Sequence, residues 1–323
     1  MTTTEMQPAP DPGVYSDIPG EVYHAWNAGV LSKSRLWSMV TGIDRDGNLE
    51  LNPAKFVYER ENPRPTTPAM VEGDALDCLL LEPHEFDQRF VMAQSCSAPK
   101  KKGSDEVCGA PGKVLVDGEW RCGTHGRGGE AVPPDKTLLD HIQMTKVRGM
   151  ARSVREHPEA WQLVNGASDQ QMAVVGELFG RPFKGRFDIF HGVDSGLIVD
   201  MKRSHYHAPH MLHKHAVNMG WHVQMAIYYG LALQHDHITE DATIKLLIVG
   251  DKSIFGAGKE AVYPVEIYTV SDEMLLLGER HLGQLVDAYN DCELLGEWPN
   301  PVRPERVLEP PRWIDMDFGG DDE

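Results

Sequence analysis

Two short segments of this chain carry residues that can do chemistry together: GRFDIF at 185–190 and LIVDMKRS at 197–204. In an extended strand, alternate residues share a face. Asp200 and Lys202 therefore point one way, and Leu197, Val199 and Met201 the other. The intervening HGVDSG, 191–196, reads as a turn, so hairpin pairing can bring Asp188 beside Asp200. Two carboxylates on neighbouring strands suit Mg²⁺, a hard cation that prefers oxygen ligands. A lysine beside them can orient or deprotonate an attacking water and stabilise charge on a phosphate. An Asp-x-Lys strand is also what an ordinary solvated face carries, so the neighbouring segments decide between the readings.

Several of those segments add polar groups. Glu177 lies on the strand before Asp188. In GWHVQMAIYYG, 220–230, Gln224 and Tyr228 fall four apart, on one helix face. They can grip a nucleic-acid backbone and a terminal base, or Tyr228 can pack inward with Gln224 at the rim. Asp77 interrupts an apolar helix pattern in GDALDCLLLEP, 73–83, either at the edge of the buried stripe or facing a metal.

The elements that must position these residues follow from periodicity and punctuation. Residues 1–14 are polar and proline-bearing and read as a disordered N-terminus. Residues 15–94 form an N-terminal helical part, with a helix from Thr67 to Glu82 stopped by Pro83. Residues 135–295 form the core: a long helix over 135–156, strands at 170–179, 183–190 and 196–203, a helix over 215–233, two further strands and a last helix. The end, 296–323, is proline-rich and then acidic, and solubility is its first reading. This is an α/β (α+β) order, a mixed central sheet flanked by helices.

Residues 95–134 differ in character, rich in Gly, Lys and Pro and holding three of the five cysteines. Cys96, Cys108, Cys122 and His125 form C-x11-C-x13-C-x2-H, a donor set suited to tetrahedral zinc. The alternative is a loop with free thiols. The stretch has little apolar content, so a Zn²⁺ ion would supply folding energy and be structural. Lys100, Lys101, Lys102, Lys113, Arg121 and Arg127 offer it a positive face for DNA phosphates, or merely for solubility. His205, His207, His210, His213 and His215 are crowded after the core, with spacing that fits no single metal site.

Composition sets limits. A net charge of -18 is opposite to that of a surface built for nonspecific DNA binding, although part of it lies in the acidic tail and clustered carboxylates need metals in any case. No apolar run is long enough to span a membrane and no secretory signal is visible, which places the protein in the cytoplasm (that of a host cell, if phage-encoded).

The order of the blocks YHAWNAGVLSKSRLWSM, GDALDCLLLEPHEFDQRF, EL…KGRFDIF…LIVDMKRS and WHVQMAIYYG resembles the RecE-type (exodeoxyribonuclease VIII-like) phage exonucleases of the PD-(D/E)XK superfamily. More distantly, it resembles the lambda exonuclease and RecB nuclease domains. The resemblance covers most of 15–235 outside the insert. It implies a restriction-endonuclease-like core in which Asp188 and Asp200 bind metal, Lys202 is catalytic and Glu177 is a further acid. Gln224 and Tyr228 then contact DNA, and Arg186 is a further candidate contact. The family usually has a histidine where this chain has Asp77; aspartate is itself a good Mg²⁺ ligand. The resemblance also implies two-metal hydrolysis with Mg²⁺ or Mn²⁺, acting on double-stranded DNA ends for recombination, a ring-shaped homo-oligomer and a single-strand annealing partner. The insert resembles small Cys-His inserts of phage proteins ending in C-x-x-H-G. Two other readings stay open: an endonuclease or single-strand-specific nuclease on this fold, and a nuclease-derived module that binds DNA or protein.

Overall fold

The computed structural model describes residues 7–301 except 102, 111, 132–135, 207 and 236–241. The acidic tail, His207 and Lys102 lie outside the described residues. Ten strands and six helices matter for the site. In chain order they are β1 (Gly13–Tyr15), α1 (Gly20–Ala25), α2 (Lys33–Trp37), α3 (Pro68–Leu81), β2 (Phe90–Met92), β3 (Val114–Val116) and β4 (Glu119–Arg121). Then come β5 (Thr137–Leu139), α4 (His141–Glu156), β6 (Asp169–Leu178), β7 (Arg181–Phe190), β8 (Leu197–Ser204), α5 (Trp221–Gln234), β9 (Thr243–Gly250), β10 (Val265–Thr269) and α6 (Asp272–Leu295).

The central sheet is mixed, ordered β10-β9-β8-β7-β6-β1. β6, β7 and β8 form an antiparallel meander, β9 joins parallel to β8, and β10 and β1 close the edges antiparallel. The alternation read from 197–204 sorts β8 as expected. Val199 and Met201 pack on one face with Leu76, Leu80, Val147 and Met150 of α3 and α4. Ile198 packs on the other with Val223, Ile227 and Leu285 of α5 and α6.

Local chemistry sets the helix ends. Thr67 caps α3 by accepting from Met70 N, with Pro68 in the first turn. Asp140 and Gln143 make a reciprocal capping box on α4. The helix expected over 215–233 is two helices, Pro209–Asn218 and α5, because Gly220 takes φ +68, a left-handed conformation that ends the first and starts the second.

Residues 7–14, expected to be disordered, are structured. Gln7–Pro8 pairs with Trp26–Ala28, and Gly13–Tyr15 pairs with Ala173–Val175 of β6. The polar sequence hid this because an edge strand needs backbone partners more than apolar side chains. Within the part expected to be helical lies a hairpin, Val40–Ile43 with Leu49–Leu51, followed by a helix, Pro53–Glu61.

α5 and α6 approach closely at Gly278, where a Cβ would lie 2.2 Å from His222 O and 3.0 Å from Ala226 Cβ. Beside it, His222 Nε2 and His281 Nδ1 are 2.7 Å apart, and His281 Nε2 donates to Gly47 O at 2.8 Å. Gly278→Ala must push the helices apart and is expected to cost about 1–3 kcal/mol of stability, read as a lower urea midpoint with unchanged slope.

Candidate active site

The β7–β8 hairpin sets the centre. Its register pairs Phe190 with Ile198 and Ile189 with Val199, and then the ladder stops. At that point Asp188 Oδ2 accepts the N–H of Met201 at 2.7 Å, so a side chain takes over where backbone pairing ends. This places Asp188 beside Asp200, as the turn at 191–196 predicts.

Asp200 is 1% exposed. Its Oδ2 lies 2.5 Å from Lys202 Nζ, and its Oδ1 accepts from Gln224 Nε2 at 3.0 Å. Asp77 comes from α3 and faces Asp188 and Lys202, and Asp74, one turn earlier, lines the same cleft. The cleft holds about 590 Å³. Lys33, Lys184, Arg186, His24 and Arg89 line it as well.

Burial dominates the electrostatics. It pushes Asp188 up to about 7, with repulsion from Asp200 adding to it and Lys202 opposing it. Burial and Asp188 raise Asp77 well above the carboxylate range. Burial also raises Asp200, against the pull of Lys202. Lys202 would be lowered by burial, but Asp200 and Asp188 hold it above the ordinary lysine value. Burial and then Lys202 bring Lys33 down to about 8. Three desolvated carboxylates around one ammonium make a site short of positive charge, and carboxylate oxygen is the hard donor type that Mg²⁺ or Mn²⁺ takes; among the described residues only the Cys/His set of the insert is already drawn together to the size of a metal site. Asp77, Asp188 and Asp200 are the residues that would hold such an ion.

Glu177 does not join them. It pairs with Pro182 near the β6–β7 turn, six residues along β7 from Asp188, or about 20 Å away at strand spacing. The residue opposite Asp188 is Gln171, whose Nε2 donates to Asp188 Oδ1 at 3.3 Å and whose φ is +54. Sequence reasoning placed Glu177 at the wrong end because it knew the strand order and not the register.

Tyr228 lines the cleft but takes the inward of its two readings. It is 6% exposed, and its hydroxyl donates to Arg186 O at 2.5 Å while accepting from Gln224 Nε2 at 2.8 Å, so it braces α5 against β7. Gln224 spends its amide on Asp200 and Tyr228. Arg186 lines the cleft but donates to Gln171 O and Ile18 O and lies 3.6 Å from Glu82.

Sequence reasoning missed Asp74, Lys33, Gln171, Lys184 and Arg89. A signal existed for Lys184, which alternates with Arg186 and Asp188 along one strand. None existed for Gln171, which depends on its backbone conformation.

The insert is the excursion between β2 and β5, which pair in parallel at its root. Cys96, Cys108, Cys122 and His125 converge there, with all ligand atoms within 4.8 Å of one another. The crowded histidines after β8 form no comparable group among the described residues; His205 instead pairs with Asp251 at 3.1 Å. The insert's positive face is partly spent, with Lys100 paired to Glu106 and Arg121 to Glu119.

A mixed sheet flanked by helices, with two aspartates and a lysine at its central hairpin, defines a PD-(D/E)XK nuclease-like protein. The family model described as "PDDEXK-like domain of unknown function (DUF3799)" matches residues 52–303, and the chain belongs to that family. Among solved structures, a "Putative exonuclease" from Eubacterium rectale matches at 18% identity and a TM-score of 0.48, over 95% of this chain and 100% of that one. No curated protein matches the chain.

Proposed function

We propose that this protein is a divalent-metal-dependent exonuclease, RecE-like in type, that hydrolyses double-stranded DNA from its ends to leave single strands for recombination. The observation that carries the reading is the buried cluster of Asp188, Asp200, Asp77 and Lys202, of which Asp77 and Asp188 line the cleft. Mg²⁺ or Mn²⁺ on those carboxylates supplies positive charge toward the phosphodiester oxygens.

The chain's own residues do the rest. Lys202, held protonated by its acidic neighbours, acts as a charged donor to water or phosphate and not as a base. Asp200 serves as a ligand once Lys202 turns from its Oδ2 toward substrate, with Gln224 keeping Oδ1 in place. Gln171 and the Met201 N–H orient Asp188. Lys33, Lys184, Arg186 and Arg89 line the cleft and give it positive charge toward the phosphate backbone of a strand lying there, although Lys184, Arg186 and Arg89 also have partners within the chain. Local cations of this kind offset the chain's net charge of -18. The same reading includes a cytoplasmic setting, a ring-forming homo-oligomer and a single-strand annealing partner. The soft Cys/His donors of the insert are unsuited to Mg²⁺, and we read them as a separate structural zinc centre.

Linear and covalently closed circular duplex DNA, incubated with Mg²⁺ or with chelator, test the proposal. Only the linear DNA should be lost, and only with metal. Cutting of the closed circle would move the assignment to an endonuclease; no cutting in either metal would favour a binding module. Among the described residues, no helix is long and apolar enough to cross a membrane.

A further inference from the structure

We infer that Cys96, Cys108, Cys122 and His125 form a tetrahedral zinc centre whose occupancy decides whether the insert is folded, independently of the nuclease body. Cys96 Sγ and Cys122 Sγ each lie 3.5 Å from His125 Nδ1, and Cys108 Sγ lies 3.9 Å from Cys122 Sγ. Ordinary zinc bond lengths at tetrahedral angles place sulfur and nitrogen about 3.6 Å apart and two sulfurs about 3.8 Å apart. A disulfide needs sulfurs at about 2.0 Å, and these cysteines are free. The cage has the size of the ion's first shell.

The backbone brings the ligand-bearing segments together. The segments of Cys96 and Cys108 embrace each other: Cys96 N donates to Ala110 O, and Cys108 N to Ala98 O, both at 2.7 Å. The segment after Cys122 closes against the β3–β4 hairpin through Gly126, where a Cβ would lie 2.1 Å from Val114 Cγ2. Sequence segments far apart along the insert thus meet at the four ligands.

Backbone hydrogen bonds aside, little apolar packing holds them there. Among the described residues 94–129, no side chain larger than alanine is buried apart from Cys96 and Cys122, and these form a small cluster of their own with Ala98. A region this poor in core depends on metal for its folding energy. The body does not depend on the insert: its core clusters draw on residues before β3 and after β4. The β2–β5 pair, continuous with α4 through the Asp140 cap, fastens the insert to it.

The test uses the full chain, reduced and freed of metal. Co²⁺ should bind one equivalent with the intense visible bands and sulfur-to-metal charge transfer of a tetrahedral thiolate site, and Zn²⁺ should bleach them; the oxygen ligands of the acidic cleft give only weak octahedral absorption. Chelator should expose the insert to limited proteolysis while the body's melting transition stays in place. Cys108→Ser should lose the charge-transfer bands and become protease-sensitive even with Zn²⁺, and His125→Cys should keep a tetrahedral spectrum with stronger charge transfer. A purely octahedral Co²⁺ spectrum would overturn the centre. An insert equally resistant to protease with and without metal would overturn the folding claim. None of these readouts needs DNA cleavage, so they stand or fall apart from the nuclease assignment.

Discussion

Lys202→Ala is expected to lower the single-turnover rate of linear duplex cleavage by about 10³-fold with saturating Mg²⁺. Lys202 is ion-paired with the carboxylate centre, its Nζ 2.5 Å from Asp200 Oδ2. Its neighbours hold it protonated, so it can place a full charge where negative charge grows on the phosphate. Losing it leaves Asp77, Asp188 and Asp200 buried without that partner, and the metal-free variant should also melt earlier than the wild type. Divalent metal should recover most of the melting temperature but not the rate. Glu177→Ala, at the far end of the hairpin, is the control and should cleave like the wild type. A loss smaller than tenfold in Lys202→Ala would remove the residue from the reaction.

The second large effect is on metal binding and pH. Asp188 sits at about 7, chiefly through burial and then through Asp200. A divalent ion competes with that proton. Mn²⁺ affinity, measured calorimetrically, should therefore rise by at least about tenfold per pH unit below about 7, with the raised Asp77 and Asp200 adding to the dependence. The sign for stability is opposite to that of an ordinary surface carboxylate. The folded protein holds this proton where the unfolded chain, titrating near 3.9, has lost it. The metal-free protein should then lose stability as pH rises from about 4 to about 7, and Asp188→Asn should flatten that slope. A Mn²⁺ affinity unchanged across the same range would show that Asp188 is already ionised and that the cleft is wetter than its packing indicates.

The two predictions rest on residues of different legibility. Asp200 and Lys202 were readable because a strand has a period of two, and a turn between two apolar strands put Asp188 next to them. The Cys/His cluster of the insert was readable by residue type, since three cysteines and a histidine in a glycine-rich, core-poor stretch suit a tetrahedral metal site. Asp77 was legible as an anomaly, a charge inside an apolar helix pattern. Period and composition are local properties, and they survive without knowledge of what packs against them.

Register, depth and commitment of polar groups are not local. Glu177 and Gln171 lie on the same strand, and only the β6–β7 pairing decides that Gln171 meets Asp188. Tyr228 looked available on its helix, and only the approach of α5 to β7 turns its hydroxyl onto a backbone carbonyl. Residues 7–15 carry little apolar signal, and the open edges of β6 and of Trp26–Ala28 give them structure. The sequence by itself determined which groups can do chemistry, because that follows from residue type and strand or helix period. The tertiary structure decided which of them share the cleft and in what charge state, because distance and desolvation exist only after the elements pack.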